Sequence, residues 1–257
     1  MNLQDKVAVI TGSSSGVGAA LATKLASEGA IVVINYNQSE EGAIRARDSI
    51  VATGGQAVIV QGDVSEEVDC ERIAEMAVSS FGRIDILVNN AGCTTFVPHE
   101  NLKDLTSAIW ERTLRVNLMG AFFMSRAAMP HLQKAGGGEI VMTSSIASQT
   151  ASGSSIAYCA SKAGMNSLTR SLAKAFGKDN IRVNAVLPGL IDGDWAFSTW
   201  GGGDARQYEG LKKMFADQTP LGYVVTPDDV ADTILSLITG SDYVTGQLIT
   251  FDAGFTL

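Results

Sequence analysis

Ser145, Tyr158 and Lys162 bring a hydroxyl, a phenol and an ammonium into one stretch, with thirteen positions from the first to the second and four from the second to the third. If Ile156 to Phe176 is a helix, Tyr158 and Lys162 are i and i+4 neighbours on one face. Such a set suits proton transfer to a carbonyl that receives a hydride: the phenol gives the proton and the serine donates to the oxygen as charge develops on it. A phenol near pKa 10 is a poor acid at neutral pH, and lowering it by about three units takes roughly 4 kcal/mol of preferential phenolate stabilisation. One ammonium about 4 Å away in a partly screened site supplies about that much, so the spacing predicts that Lys162 pulls the Tyr158 phenol down. A surface Tyr/Lys pair and a helix-capping serine share this pattern. The weight therefore comes from what positions it.

Upstream lies a glycine loop. Val7 to Thr11 reads as an apolar strand and Val17 to Ser27 as a helix with Val17, Leu21 and Leu25 on one face; between them run Gly12, Ser13, Ser14, Ser15, Gly16, Val17 and Gly18. Gly12 suits a tight turn, while Gly16 and Gly18 let backbone approach a pyrophosphate and the strand, with helix N-terminal amides facing the phosphates. The spacing is Gly-x-x-x-Gly-x-Gly, and alone it also fits a merely tight turn. Gly12 to Gly16 further satisfies Gly-x-Ser-x-Gly, the nucleophile elbow of α/β-hydrolases, with Ser14 as nucleophile. That chemistry needs a later acid and then a histidine, yet the only histidines are His99 and His131.

Short apolar runs alternate with helical periods along the chain. Further strands are expected at Ile31 to Asn35, Ala57 to Gln61, Ile84 to Asn89, Glu139 to Thr143, Arg182 to Leu187 and Gln247 to Phe251. They are apolar on both faces, as for parallel strands covered by helices on each side. Further helices are expected at Glu40 to Thr53, Glu67 to Phe81, Leu105 to Leu132 and Pro227 to Ile238. Strict alternation of this kind means an α/β fold with a doubly wound, mostly parallel seven-stranded sheet of Rossmann type, in three α/β/α layers. With 257 residues, 46% of them hydrophobic, and no linker or charge block, residues 1–257 read as one domain.

A net charge of -8 without a Lys/Arg cluster argues against nucleic-acid or anionic-membrane partners. No signal peptide or apolar run of about 20 residues is present, which points to the cytoplasm. Cys70, Cys93 and Cys159 are too scattered for a disulfide framework or zinc site, and no metal is expected. Cys159 reads as a packing residue.

Asp63-Val64 after the third strand, Asn89-Asn90-Ala91-Gly92 after the fourth, Asn117 in the next helix and Pro188-Gly189 after the sixth complete the pattern. With the glycine loop, Ser145, Tyr158 and Lys162, this constellation resembles the short-chain dehydrogenase/reductase family over essentially the whole chain, closest in feel to 3-oxoacyl-carrier-protein reductases and related carbonyl reductases. The resemblance implies an NAD(P)-dependent enzyme interconverting a ketone and a secondary alcohol. Tyr158 would be the acid/base, Ser145 the carbonyl-orienting hydroxyl, and Lys162 the group that binds the nicotinamide ribose and tunes the phenol. Asn117 would hold a water linking Lys162 to solvent. Asp63 and Val64 would contact adenine, Asn90, Ala91 and Gly92 the adenosine ribose side, and Pro188, Gly189 and Ile191 the carboxamide.

No acid ends the second strand, where an NAD reader would have one; Asn35, Tyr36, Asn37, Gln38 and Ser39 stand there instead. Tyr36 takes the acid's place, and Ser15, Asn37 and Ser39 can donate to a 2′-phosphate, so NADP is favoured over NAD although nothing cationic helps. Gly193 stands where the family often has a carboxamide-binding threonine. Gly136 and Asp179 align where carrier-protein reductases tend to carry docking arginines, which favours a free small-molecule substrate. Residues 190–219 fall where the family places a mobile lid, and hold Trp195, Phe197, Trp200, Tyr208 and Phe215 around Gly201, Gly202 and Gly203; ordinary packing aromatics on a short helix fit equally. His99 and Phe96 lie in a loop that can reach the pocket. Apolar surface on Leu105 to Leu132 and Ile156 to Phe176, together with the resemblance, implies a homotetramer. Besides the oxidoreductase, a catalytically silent dinucleotide-sensing module and the Ser14 hydrolase stay open.

Overall fold

The computed structural model describes residues 1–202, 204–240 and 242–257, so Gly203 of the glycine triplet lies outside the described residues. Seven strands form one sheet, β1 (Val7–Ile10), β2 (Ile31–Tyr36), β3 (Gln56–Gln61), β4 (Ile86–Asn89), β5 (Gly138–Thr143), β6 (Ile181–Pro188) and β7 (Leu248–Phe251). Their order is β3-β2-β1-β4-β5-β6-β7 and every pairing is parallel. The expected doubly wound architecture is therefore the one observed.

The period-2 alternation of the strands sorts their side chains into two cores. Val7 and Val9 of β1 join one cluster with Ile140, Met142, Val183 and Ala185, while Ala8 and Ile10 join the other with Val141 and Val186. Helices α1 (Gly16–Ser27), α2 (Glu40–Ala52) and α10 (Pro227–Thr239) cover the second face through Leu21, Leu25, Ile50, Val230 and Ile234. Helices α3 (Glu67–Phe81), α5 (Gly120–Lys134) and α7 (Ile156–Phe176) cover the first through Ile73, Met124, Leu132, Met165 and Leu172. Sheet order reverses between β1 and β4, and that reversal opens a crevice at the strands' carboxyl ends.

The helix expected at Leu105 to Leu132 is three pieces. Thr106 caps the first, its hydroxyl accepting from the Ile109 amide, so α4 covers Ser107–Leu114; a π turn spans Arg115–Met119, and α5 continues to Lys134. Residues 190–219 carry two helices, α8 (Asp194–Trp200) and α9 (Ala205–Gln218). The short α6 (Ala147–Thr150) follows β5.

Candidate active site

The loop after β1 is fixed by side chains that use up backbone groups. Asn35 accepts from the Gly12 amide at 3.1 Å and donates to the Val60 and Gly62 carbonyls, tying the ends of β1, β2 and β3 together. Ser13 donates to the Ile10 carbonyl at 2.7 Å and accepts from the Asn35 amide. From the other side, Thr11 Oγ1 accepts from the Asn90 and Ala91 amides at 3.0 Å each, and Asn90 returns its own amide to the Thr11 and Gly12 carbonyls. Gly12 has a φ of +61° and a Cβ there would stand 2.9 Å from the Ala91 Cα, so both conformation and approach demand glycine. Ser15 precedes α1 without a capping hydrogen bond from its side chain, which leaves the helix's first amides to an outside acceptor.

These loops edge a cavity of about 850 Å³. It is lined by Gly12, Ser14, Ser15, Gly16 and Val17 at one end; by Asn37, Asp63, Val64, Asn90, Ala91 and Gly92; and by Ser145, Tyr158, Lys162, Pro188, Gly189 and Ile191 at the other. Four residues expected to serve the dinucleotide or the chemistry are not on its wall, and Ser39, at the N-cap position of α2, is one of them. Gly18 is packing, since a Cβ on it would meet Asn90, Gly12 and Ser13 at 2.7 Å. Tyr36 is buried with the α1/α2 core, not facing a ribose, and Asn37 and Gln38 line the cavity in its place. Asn117 is fully buried behind the wall.

Ser155 caps α7, its hydroxyl accepting from the Tyr158 amide at 3.2 Å, and thereby sets where the tyrosine leaves the helix. Ser145 Oγ accepts from the Ala147 amide at 3.1 Å, and its hydroxyl is the polar group that acts on the Tyr158 phenol. Burial pushes the phenol upward from its ordinary value, and the Ser145 contact only partly opposes this. The expected lowering by Lys162 is not found. Its ammonium sits 5.7 Å from the centre of the Tyr158 ring and donates to the Thr143 carbonyl at 2.7 Å; burial brings its own pKa down to about 8. Asn117 Oδ1 accepts from the Cys93 amide while its Nδ2 donates to the Cys93 carbonyl and Ser161 Oγ, and Ser161 donates to the Tyr158 carbonyl. Those bonds use both side-chain donors and make Asn117 a bracket between the loop after β4 and α7.

Arg112 was not anticipated. It lines the cavity and reaches Asp63 at 3.1 Å and Ser65 at 2.9 Å, while Asn37 donates to the same Asp63 oxygen. Burial of Asp63 is outweighed by the donations from Ser65 and by Arg112, which hold its carboxyl below the ordinary range. His99 and Phe96 do not line the cavity, although Phe96 packs on Trp200 with ring centres 5.5 Å apart. Neither histidine lies beside Ser14, so the hydrolase reading lacks its base. Burial raises the thiols of Cys93 and Cys159 and takes Cys70 up to about 12, which makes none of them a ready nucleophile. Among the described residues no metal-binding cluster exists, and no helix is long and apolar enough to cross a membrane.

A family model described as enoyl-(acyl carrier protein) reductase matches residues 12–256. A Streptomyces violaceoruber protein named as ketoacyl reductase 2 of a granaticin polyketide synthase is 40% identical over 248 residues, covering 96% of this chain and 95% of the relative. A 7alpha-hydroxysteroid dehydrogenase of Clostridium sardiniense is 38% identical over 256 residues, covering 99% and 95%. A solved Serratia marcescens short-chain dehydrogenase/reductase, a double mutant, superposes with a TM-score of 0.88 at 30% identity and 100% coverage of both chains. The chain belongs to the short-chain dehydrogenase/reductase family. It is an NAD(P)-dependent oxidoreductase.

The cavity fits such a dinucleotide on its own terms. Its volume lies within the usual span of ligand sites, its glycine end offers uncapped amides at a helix start, and nothing stands within 4 Å of where a Gly16 Cβ would lie.

Proposed function

We propose that this protein interconverts a small ketone and its secondary alcohol, with Tyr158 as acid/base, Ser145 as carbonyl donor and Lys162 as the group that binds ribose and biases the phenol. The observation that carries this reading is that Ser145, Tyr158 and Lys162 meet on the wall of the cavity that the glycine loop also lines. Gly12 and Ser14 to Val17 would hold the pyrophosphate, Asp63 and Val64 the adenine, Asn90 to Gly92 the adenosine ribose, and Pro188, Gly189 and Ile191 the carboxamide. Bound there, the nicotinamide supplies or accepts the hydride. The phenol, pushed upward by burial, stays protonated at neutral pH and is poised to donate to a ketone. Ser145 meets the same oxygen as its charge grows. Lys162 does not lower the resting phenol; its part in this reading is to face the phenolate left behind as the cation on the same wall.

NADP is preferred over NAD in this reading, because Ser15, Asn37 and Gln38 offer donors and no carboxylate ends β2. Arg112 is the cation at that end of the cavity, although Asp63 holds it. The whole chain forms one catalytic domain with residues 190–219 as its lid, and four copies assemble, with Met119 and Phe122 exposed on the first helical face. The three free cysteines suit a reducing cytoplasm. Mixing the protein with NADPH or NADH and a panel of ketones, and following loss of the reduced dinucleotide's absorbance, tests the reading; a protein that binds either dinucleotide yet consumes neither with any ketone would instead be the silent sensor.

A further inference from the structure

The outer half of the cavity is formed by the lid. Tyr208 of α9 donates to Asp192 at 2.9 Å and accepts from the Gly193 amide at 3.1 Å, and Lys212 binds the other Asp192 oxygen at 3.1 Å. Phe215 stacks on Phe255 with ring centres 5.3 Å apart, which pins the far end of α9. Between these anchors α8 is set down with Trp195 6.0 Å from the Tyr158 ring, centre to centre. An indole half exposed to the cavity and tilted against the proton donor is a preformed wall for a flat ring.

Charge is unevenly placed around it. The charged residues on the wall, among those described, are Asp63, Arg112, Lys162, Asp194 and Asp228. Arg112 is held by Asp63, Lys162 by the Thr143 carbonyl, and Asp228 faces Lys24 at 3.5 Å. Asp192, two residues before Asp194, is neutralised by Lys212, whereas Asp194 has no ion pair among the described residues. The substrate end therefore presents an aromatic face and, at the start of α8, a carboxylate without an ion pair; its one cation among the described residues, Lys162, is buried and held by the Thr143 carbonyl.

We infer that Asp194 and Trp195 make the site selective for uncharged, ring-bearing ketones and alcohols, and that carboxylate- or phosphate-bearing substrates are turned away. The inference rests on the reading of Tyr158 as proton donor. Its test compares 2-tetralone with 2-tetralone bearing a ring carboxylate. In the wild type, kcat/KM falls by about tenfold for the acid, the size expected of one like charge in a half-screened site. Asp194→Lys narrows or inverts that ratio, and Trp195→Ala raises KM for 2-tetralone more than for butanone. Equal kcat/KM for the two tetralones, or a ratio untouched by Asp194→Lys, overturns the inference. Calorimetric titration of both tetralones into dinucleotide-saturated Tyr158→Phe protein reads the selection as affinity. Preferential binding of the neutral ketone, in a wild type that turns over neither, upholds the selection and defeats the catalytic reading; equal affinities defeat the selection whatever the chemistry does.

Discussion

Lys162 lies 5.7 Å from the centre of the Tyr158 ring, yet its ammonium is bonded to the Thr143 carbonyl and not to the phenol. The two groups are thus set for different protonation problems: burial drives the phenol up and the ammonium down. Neither shift needs the other residue. A ligand that adds acceptors beside Lys162 would change its charge state before it changed that of Tyr158.

Tyr158→Phe removes the proposed proton donor while leaving the ring that packs on Trp195. Turnover should fall by about 10² to 10⁴, the usual contribution of a positioned general acid, with dinucleotide affinity within a few-fold. Steady-state kinetics beside fluorescence titration of the dinucleotide decide it; a variant that keeps a tenth of wild-type kcat would remove Tyr158 from its role.

The Lys162 shift carries a signed dependence on pH. Its folded value, about 8, is below the ordinary 10.5, so between those limits the unfolded chain holds a proton that the folded chain has lost. Stability contributed at this site rises with pH across that window, and the penalty for the buried ammonium is fully present below about 8. Melting curves on either side of pH 8 should show this slope in the wild type and a flatter one in Lys162→Met. With Lys162 in its proposed place facing the phenolate, ketone reduction should also decline as pH rises through that value, since the cation is lost.

Asn37, not Tyr36, faces the cavity at the end of β2. Asn37→Asp should therefore move preference toward NADH by repelling a 2′-phosphate and accepting from a 2′-hydroxyl. Ratios of kcat/KM for NADH and NADPH in both proteins measure this, and an unchanged ratio would place the adenosine ribose elsewhere.

Tyr208→Phe takes a donor from Asp192 and an acceptor from the Gly193 amide at once. The loss is about 1 kcal/mol locally, enough to raise KM a few-fold and to speed amide exchange across α8 while that of β1 and β4 stays as it was. Exchange rates identical to wild type over Asp194–Trp200 would show that the network does not hold the lid.

Light scattering tests assembly. A mass about four times the 26.9 kDa of one chain is expected, and Phe122→Lys should reduce it by placing charge on an exposed apolar face. A fully active wild type at the mass of one chain would refute the tetramer.

Much of this was legible because it is written in side-chain period. Val7 and Val9 against Ala8 and Ile10 announce a strand covered twice, and the interruption at Gly12 marks where it must turn. The remaining features have no such signature. A π turn differs from an α turn in backbone bonding, not residue type, so Asn117 could be placed on a helix but not oriented. Tyr36 stands one step of alternation from the cavity: at a strand end, neighbouring side chains point to opposite faces, and of Tyr36 and Asn37 the buried one is the tyrosine. Arg112 meets Asp63 across 49 positions of sequence, a pairing that only the fold creates. The Asp204 cap of α9, accepting from the Arg206 and Gln207 amides, was visible in principle but was masked by the glycines before it.

The π turn at Arg115–Met119 sets two helices out of phase. Each residue of an α-helix advances about 100°, so the residue that such a turn takes up rotates the apolar face of α5 away from that of α4. Deleting one residue there would bring the two faces into line and yield a helix more regular by every local criterion. It would also swing Asn117 off Cys93 and Ser161. Helical regularity and a fixed loop beside Lys162 are competing demands on these five residues, and this chain gives up the first.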